Sequence, residues 1–352
     1  MTEVGITNAN LWKHTVLYHT HDMKHEGYEL YVAQIHRISK CSCIIGRIWL
    51  TLQKHHKILL LMETLSDKLT TLYNDHWDDL IRQLDANGLR DKLQCPFLLS
   101  VYRTGVKAKE MERLQENGAV YNQWYAENMI PCNEDWYAKA DVKIMFFGKE
   151  PNGWTRDEET NRTDISTIMD EYGFFLDDRY EVKGNGGYFN QGSSFFKVGV
   201  NKMMEGLEMI LNDYPNKRVS MMWNEISKLS TRKKNGGGPV NPFTHEIERK
   251  YFHVIPKEIE ILKPDIVIFY TGPGENSYYR YITEDDNFTL TGKPEQLASL
   301  DKYDVEKLPI KEVKLAYKTW HPARMNKELR EQVYNAILAD IKENIDKLLK
   351  KE

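Results

Sequence analysis

The sequence predicts an α/β domain with a central four-stranded parallel sheet flanked by helices, preceded by a helical N-terminal region. Two observations predict it: four apolar runs bounded by turn residues, and amphipathic segments between them. Continuous apolar strands are typical of parallel sheets that are covered on both faces. A chain of 352 residues, 41% of them hydrophobic, can build such a core and still carry an extension.

The predicted strands and helices of the α/β domain all follow residue 137. The strands are 141–148, 218–224, 264–272 and 312–319, and the helical segments are 193–214, 250–263 and 326–351. The last segment has Asn326 as a candidate N-cap and places its apolar residues on one face, namely Leu329, Val333, Ile337, Ile341 and Leu348. The long separation of the second and fourth strands predicts an insertion around 273–311, so we assign 137–352 to the α/β domain.

The chain before this domain divides into two parts. Residues 62–136 have a helical pattern, and Ser66 is a candidate cap for their first helix. Residues 1–61 are a poorly patterned extension rich in histidine. The alternative is that translation starts at Met62, in which case the extension is not translated.

Composition excludes several classes of protein. Four irregularly spaced cysteines are too few for a disulfide framework, so we expect reduced thiols and a cytoplasmic protein. No stretch approaches the roughly 18 apolar residues of a membrane span. The formal charge of −4 gives no global signal for nucleic acid, so any contact with DNA must come from a local basic patch.

Polar residues follow the predicted strands at the points where they end. Glu150 comes after the first strand, Asn224 ends the second, and His321 follows the fourth. Ligands of open α/β sheets bind outside the carboxyl ends of the strands, so we expect these three side chains to converge. A carboxylate, an amide and an imidazole together suit hydrolysis of a substrate that carries a planar group.

The turns that hold these residues resemble the motifs of the uracil-DNA glycosylase superfamily. They read GKEPN at 148–152, MMWN at 221–224 and HPARM at 321–325. The resemblance implies that Glu150 positions the attacking water and that His321 stabilises charge on the leaving base. It also implies that Asn224 reads the base edge and that Met325 lies where the family inserts a leucine wedge into the duplex.

The same resemblance implies hydrolysis of the N-glycosidic bond of a flipped uracil or other modified base in DNA, without a cofactor or a metal. Two letters depart from the family pattern. Glu150 replaces an aspartate, and Asn152, which we expect to contact the base, stands where some members carry a tyrosine. The identity of the base therefore stays open.

Further contacts are expected around this centre. Gly148 would let the chain turn tightly beside the substrate, and Phe189 would stack on the flipped base. A phosphate clamp is predicted from the cations of 228–239 and of the last turn, which are Lys228, Arg232, Lys233, Lys234 and Arg324.

The sequence leaves two alternatives open. The fold could serve as a non-catalytic module that binds nucleic acid or a nucleotide, and salt-sensitive binding without base release would identify it. It could also be a hydrolase of free nucleosides or nucleotides, which would act on monomers and have no affinity for duplex DNA.

Overall fold

The computed structural model describes most of the chain beyond residue 62. The described residues are 63–101, 137–152, five positions between 165 and 172, 194–233, 236–272, 277–300 and 303–350. The predicted extension 1–61, most of the helical region beyond residue 101, Phe189 and Lys234 lie outside them.

A six-stranded mixed sheet forms the centre of the fold. Its strands are β1 Val142–Gly148, β2 Val219–Glu225, β3 Ile266–Phe269, β4 Glu295–Leu300, β5 Tyr303–Lys307 and β6 Leu315–Lys318. The order across the sheet is β2-β1-β3-β6-β5-β4. The first four strands in this order are parallel, whereas β5 and β4 add to the edge as antiparallel strands.

All four predicted strands exist and form the parallel block, but the expected total of four strands is wrong. The two additional strands, β4 and β5, lie within the stretch around 273–311 where the sequence predicts an insertion. The parallel strands are buried along nearly their whole length, because helices cover both of their faces.

The helices surround this sheet. They are α1 Leu65–Ala86, α2 Asn201–Leu211, α3 Pro242–Tyr251, α4 Ile255–Leu262, α5 Ser277–Thr283, α6 Lys327–Glu343 and α7 Ile345–Leu349. A π-helical turn, Phe195–Val200, leads directly into α2. No helix within the described ranges is long and apolar enough to cross a bilayer.

Helix α1 belongs to the same compact unit as the sheet, Thr64–Glu352. Its cap is Thr64 rather than the predicted Ser66: the Thr64 hydroxyl accepts from the Asp67 amide at 3.0 Å, and Asp67 accepts from the Thr64 amide at 3.1 Å. This reciprocal capping box starts the helix two residues earlier than expected. The predicted cap Asn326 is confirmed, since its side chain accepts from the Leu329 amide at 2.9 Å.

Neighbouring residues of β2 show that α1 and α4 cover one face of the sheet and the π-helical turn covers the other. Trp223 packs on Phe196 of the turn, with ring centroids 4.9 Å apart. Asn224, the next residue, contacts Glu258 of α4 instead. Successive strand residues point to opposite faces, so this alternation decides which side chains of β2 can reach which site.

Candidate active site

Glu150 lies just beyond the end of β1, in a half-buried position. Its Oε2 atom is buried and has no hydrogen-bond partner in the described part of the chain. Burial raises the pKa of Glu150, while the Tyr278 hydroxyl and the ammonium groups of Lys149 and Lys233 oppose the rise. The carboxyl group therefore has one oxygen available and two cations that favour its ionised form.

His321 follows β6 and belongs to the same group of charges. Its Nδ1 accepts a hydrogen bond from the Ala323 amide at 3.1 Å, which leaves the proton of the neutral ring on Nε2. Burial, Lys149 and Arg324 together lower the pKa of His321 to about 4. The imidazole is therefore neutral at physiological pH and can donate a hydrogen bond through Nε2–H.

The turn that carries His321 is held against the π-helical turn. A side chain on Gly199 would place its Cβ only 2.6 Å from Cγ of Pro322, so this close approach requires glycine. The ring of Phe195 lies 5.8 Å from the His321 ring, centroid to centroid. Phe195 and Phe196 are core residues.

The structure does not bring Asn224 to this centre. Asn224 is fully buried; its Nδ2 donates to Glu258 Oε2 at 2.9 Å, and its Oδ1 accepts from Lys228 Nζ at 2.5 Å. The predicted role of Asn224 in reading a base edge is therefore wrong. The physical reason is the alternation of β2, which turns this side chain toward α4.

Lys228 is also misassigned by the sequence argument. Its side chain is 1% exposed, and Nζ lies 2.8 Å from Glu258 Oε2, which is itself fully buried. The Tyr73 hydroxyl donates to the other oxygen of Glu258 at 2.7 Å. Lys228 therefore belongs to a buried ion pair that links the segment after β2 with α1 and α4, and it cannot contact a phosphate at the surface.

Asn152 is exposed and has a structural partner. Its Oδ1 accepts from the Gly237 amide at 2.9 Å and so ties the turn after β1 to the glycine loop 236–238. Of the remaining predicted clamp, Arg232 and Lys233 are exposed, and Lys233 is near enough to affect the pKa of Glu150.

Met325 cannot act as a wedge in this conformation, so that prediction is wrong. Its side chain is 3% exposed and packs in the core, while its carbonyl accepts from Arg330 Nη1 at 2.6 Å. The neighbouring Arg324 is exposed and close enough to lower the pKa of both His321 and Lys149.

Sequence reasoning missed two members of the centre. Glu225 ends β2 opposite Gly148 in the parallel register. A Cβ on Gly148 would lie 2.2 Å from Glu225 Oε2, so the missing side chain of Gly148 makes room for this carboxyl group rather than for a ligand. Tyr278 comes from α5 in the insertion, and the Lys149 ammonium lies 5.3 Å from its ring centroid.

The alternation of side chains along β2 could have identified Glu225. Trp223 and Glu225 must point to the same face of the sheet, whereas Asn224 points to the opposite face. Nothing in the sequence pointed to Tyr278.

Among the residues described, no group of three or more His, Cys, Asp or Glu side chains is arranged to hold a metal ion. Comparisons with protein-family models and with curated proteins find no match to this chain.

Proposed function

We propose that this protein hydrolyses the N-glycosidic bond of a nucleoside unit. The observation that carries the proposal is the pairing of Glu150, whose buried Oε2 atom lacks a partner among the described residues, with the neutral imidazole of His321. The two groups lie at the ends of β1 and β6, and Lys149 affects the pKa of both.

Glu150 and His321 supply complementary chemistry. A carboxylate beside the sugar stabilises oxocarbenium character and orients the attacking water. A fixed neutral N–H donor near the departing base stabilises the electron density that moves onto it. Burial raises the pKa of Glu150, and Lys149 and Lys233 oppose this rise and so favour the ionised form that this role needs.

The first candidate substrate is a uracil or other modified base in DNA, in line with the resemblance to the uracil-DNA glycosylase superfamily. The parallel block and the turns GKEPN and HPARM at the ends of β1 and β6 support this reading. Arg232, Lys233 and Arg324 are the exposed cations that could contact phosphates.

A free nucleoside or nucleotide is the second candidate substrate, and two observations favour it. Met325 is buried, so the expected wedge into a duplex is absent from the surface, and Asn224 is committed to Glu258 and Lys228. A monomeric substrate needs neither strand separation nor a wedge.

A base-release assay tests the proposal. Purified protein would be incubated with oligonucleotides that contain uracil and other modified bases, and in parallel with nucleosides and nucleotides. We expect release of a free base, and a loss of about 10²-fold or more in E150Q and in H321A. The matched control is E260Q, because Glu260 is exposed on α4 and paired with Lys257.

The pH profile provides an independent check. Activity should rise with pH as Glu150 ionises, and it should show no limb from His321 near its ordinary pKa, because His321 already loses its proton at about 4. No base release from any substrate, or full activity of E150Q, would overturn the proposal. Salt-sensitive DNA binding without base release would instead identify the non-catalytic module.

A further inference from the structure

Glu225 is an ionisable side chain of the centre that is held in place on two sides. The parallel register sets it opposite Gly148, and its Oε2 atom occupies the space that a side chain of Gly148 would need. Its Oε1 atom accepts from Trp223 Nε1 at 2.9 Å. The carboxyl group is therefore held against the end of β1, two residues before Glu150.

The charges around Glu225 favour its neutral form. The side chain is 5% exposed, and Oε2 has no hydrogen-bond partner in the described ranges. The ionisable groups that face it are Glu150, Tyr278 and Lys228, and Lys228 is already bonded to Glu258. Burial and the charge of Glu150 raise the pKa of Glu225 well above its ordinary value, against smaller effects of Trp223 and Lys228.

Glu150 and Glu225 therefore differ in the charges that surround them and in their burial. Glu150 has Lys149 and Lys233 to balance its charge, whereas Glu225 is more deeply buried and faces another carboxylate. Two neighbouring carboxyl groups whose surroundings separate their protonation in this way are the usual arrangement of an acid and a base in one site. Each group also has one oxygen without a partner among the described residues.

We propose that Glu225 is the proton donor of this site and forms an acid–base pair with Glu150. The inference rests on the proposed function. Water forms a bond to the anomeric carbon and gives its proton to Glu150. The C–N bond breaks, its electron pair passes to the base nitrogen, and this nitrogen takes the proton of Glu225. Transfer of the proton from Glu150 to Glu225 then restores the starting state.

This pair defines the class of substrate. A base that receives a proton as it departs leaves as a neutral molecule, so the site can release bases that are poor leaving groups as anions, purines among them. His321 donates its Nε2–H to another acceptor atom of the same base. A site that relied on His321 alone would be limited to bases that depart readily as anions.

A comparison of leaving groups tests the role of Glu225. E225Q keeps the shape of the side chain but has no acidic proton to give. On a purine nucleoside we expect kcat/KM to fall by about 10²–10⁴-fold, the usual contribution of a general acid. On the 4-nitrophenyl glycoside of the same sugar, whose leaving group departs as an anion, the loss should stay below about tenfold because proton donation contributes little there.

Two results distinguish a failure of the inference on Glu225 from a failure of the proposed function. Equal losses of E225Q on both substrates would show a structural role and overturn the inference, provided that E150Q still lowers both. If E150Q retains activity on both substrates, the proposed function itself fails.

Infrared spectroscopy of the intact protein locates the proton without any need for turnover. We expect a protonated-carboxyl band at neutral pH in wild type and in E150Q, and its absence in E225Q. Should E225Q fail to fold, E225D must retain the band while the pH at which it disappears changes. A wild-type protein without the band at neutral pH, or an E225Q protein that keeps it, would overturn the inference.

Discussion

Replacing Lys228 by methionine removes the cation of the buried ion pair while keeping an unbranched side chain of comparable length. Glu258 would keep the Tyr73 hydroxyl at 2.7 Å and the Asn224 amide at 2.9 Å as donors. It would lose both contacts of the ammonium group, at 2.9 and 2.8 Å. The variant therefore leaves a carboxylate in the core without a compensating charge.

The expected cost follows from the burial of both partners, which are 1% and 0% exposed. Removing one member of such a pair lowers the free energy of unfolding by about 3–5 kcal/mol, because the remaining charge is uncompensated. The double variant K228M/E258Q should recover part of this loss, since it removes that charge. The difference between the single and double variants measures the coupling of the pair.

Urea unfolding followed by tryptophan fluorescence provides the measurement. The matched control is K257M, which makes the same substitution in the exposed Lys257–Glu260 pair on α4 and should change stability by less than about 1 kcal/mol. If K228M proved as stable as K257M, the buried pair would not have the role assigned to it. If K228M kept its stability but bound DNA more weakly and with less sensitivity to salt, Lys228 would contact phosphate as the sequence predicts.

Three further predictions concern the surroundings of the site. G148A should lose about 1–3 kcal/mol of stability in urea unfolding, because its Cβ would overlap Glu225. The loss should be smaller in an E225A background. Equal losses from G148A in the wild-type and E225A backgrounds would contradict the clash. Burial lowers the pKa of His245, but carboxylates including Asp285 raise it to about 9, above the unfolded value of 6.5. The stability that this histidine contributes should therefore be complete below pH 6.5 and lost as the pH rises through 9. The H245N variant should remove this pH dependence of stability. N152A should free the Gly237 amide that Asn152 Oδ1 now accepts from. Amide hydrogen exchange should report this as a loss of about 0.5–1.5 kcal/mol in the protection of that amide. Unchanged exchange would contradict the hydrogen bond.

The architecture could be predicted because it depends on patterns that are local in the sequence. All four parallel strands were found from runs of apolar residues, and the cap Asn326 was found from its side chain and its place before an amphipathic segment. The antiparallel strands β4 and β5 were not identified. Their sequences, EQLASL and YDVEK, are partly polar and so lack the continuous apolar signal of the central strands.

The site was harder to predict because it depends on contacts between distant parts of the chain. Lys228 lies in a basic segment that has the composition of a surface clamp, and only the position of Glu258 shows that its side chain turns inward. Met325 likewise follows an exposed arginine but packs in the core. Neither burial can be read from neighbouring residues; for Lys228 it depends on Glu258 and Tyr73, which lie far away in the sequence.

The end of β2 shows how a single residue of register changes the chemistry that a strand can offer. Asn224 and Glu225 are neighbours, and a motif comparison selects Asn224 because of its place in the MMWN pattern. The alternation of the strand gives the opposite answer: Trp223 faces the π-helical turn, so Glu225 shares the face of Trp223 and Asn224 points to Glu258. Because Gly148 has no side chain, Glu225 can also lie across the end of β1. The amide that would read a pyrimidine is thus turned away from the centre, and a carboxyl group takes its place beside Glu150. Under the proposed function, substrate selection should therefore depend on proton transfer to the departing base more than on recognition of its edge by Asn224.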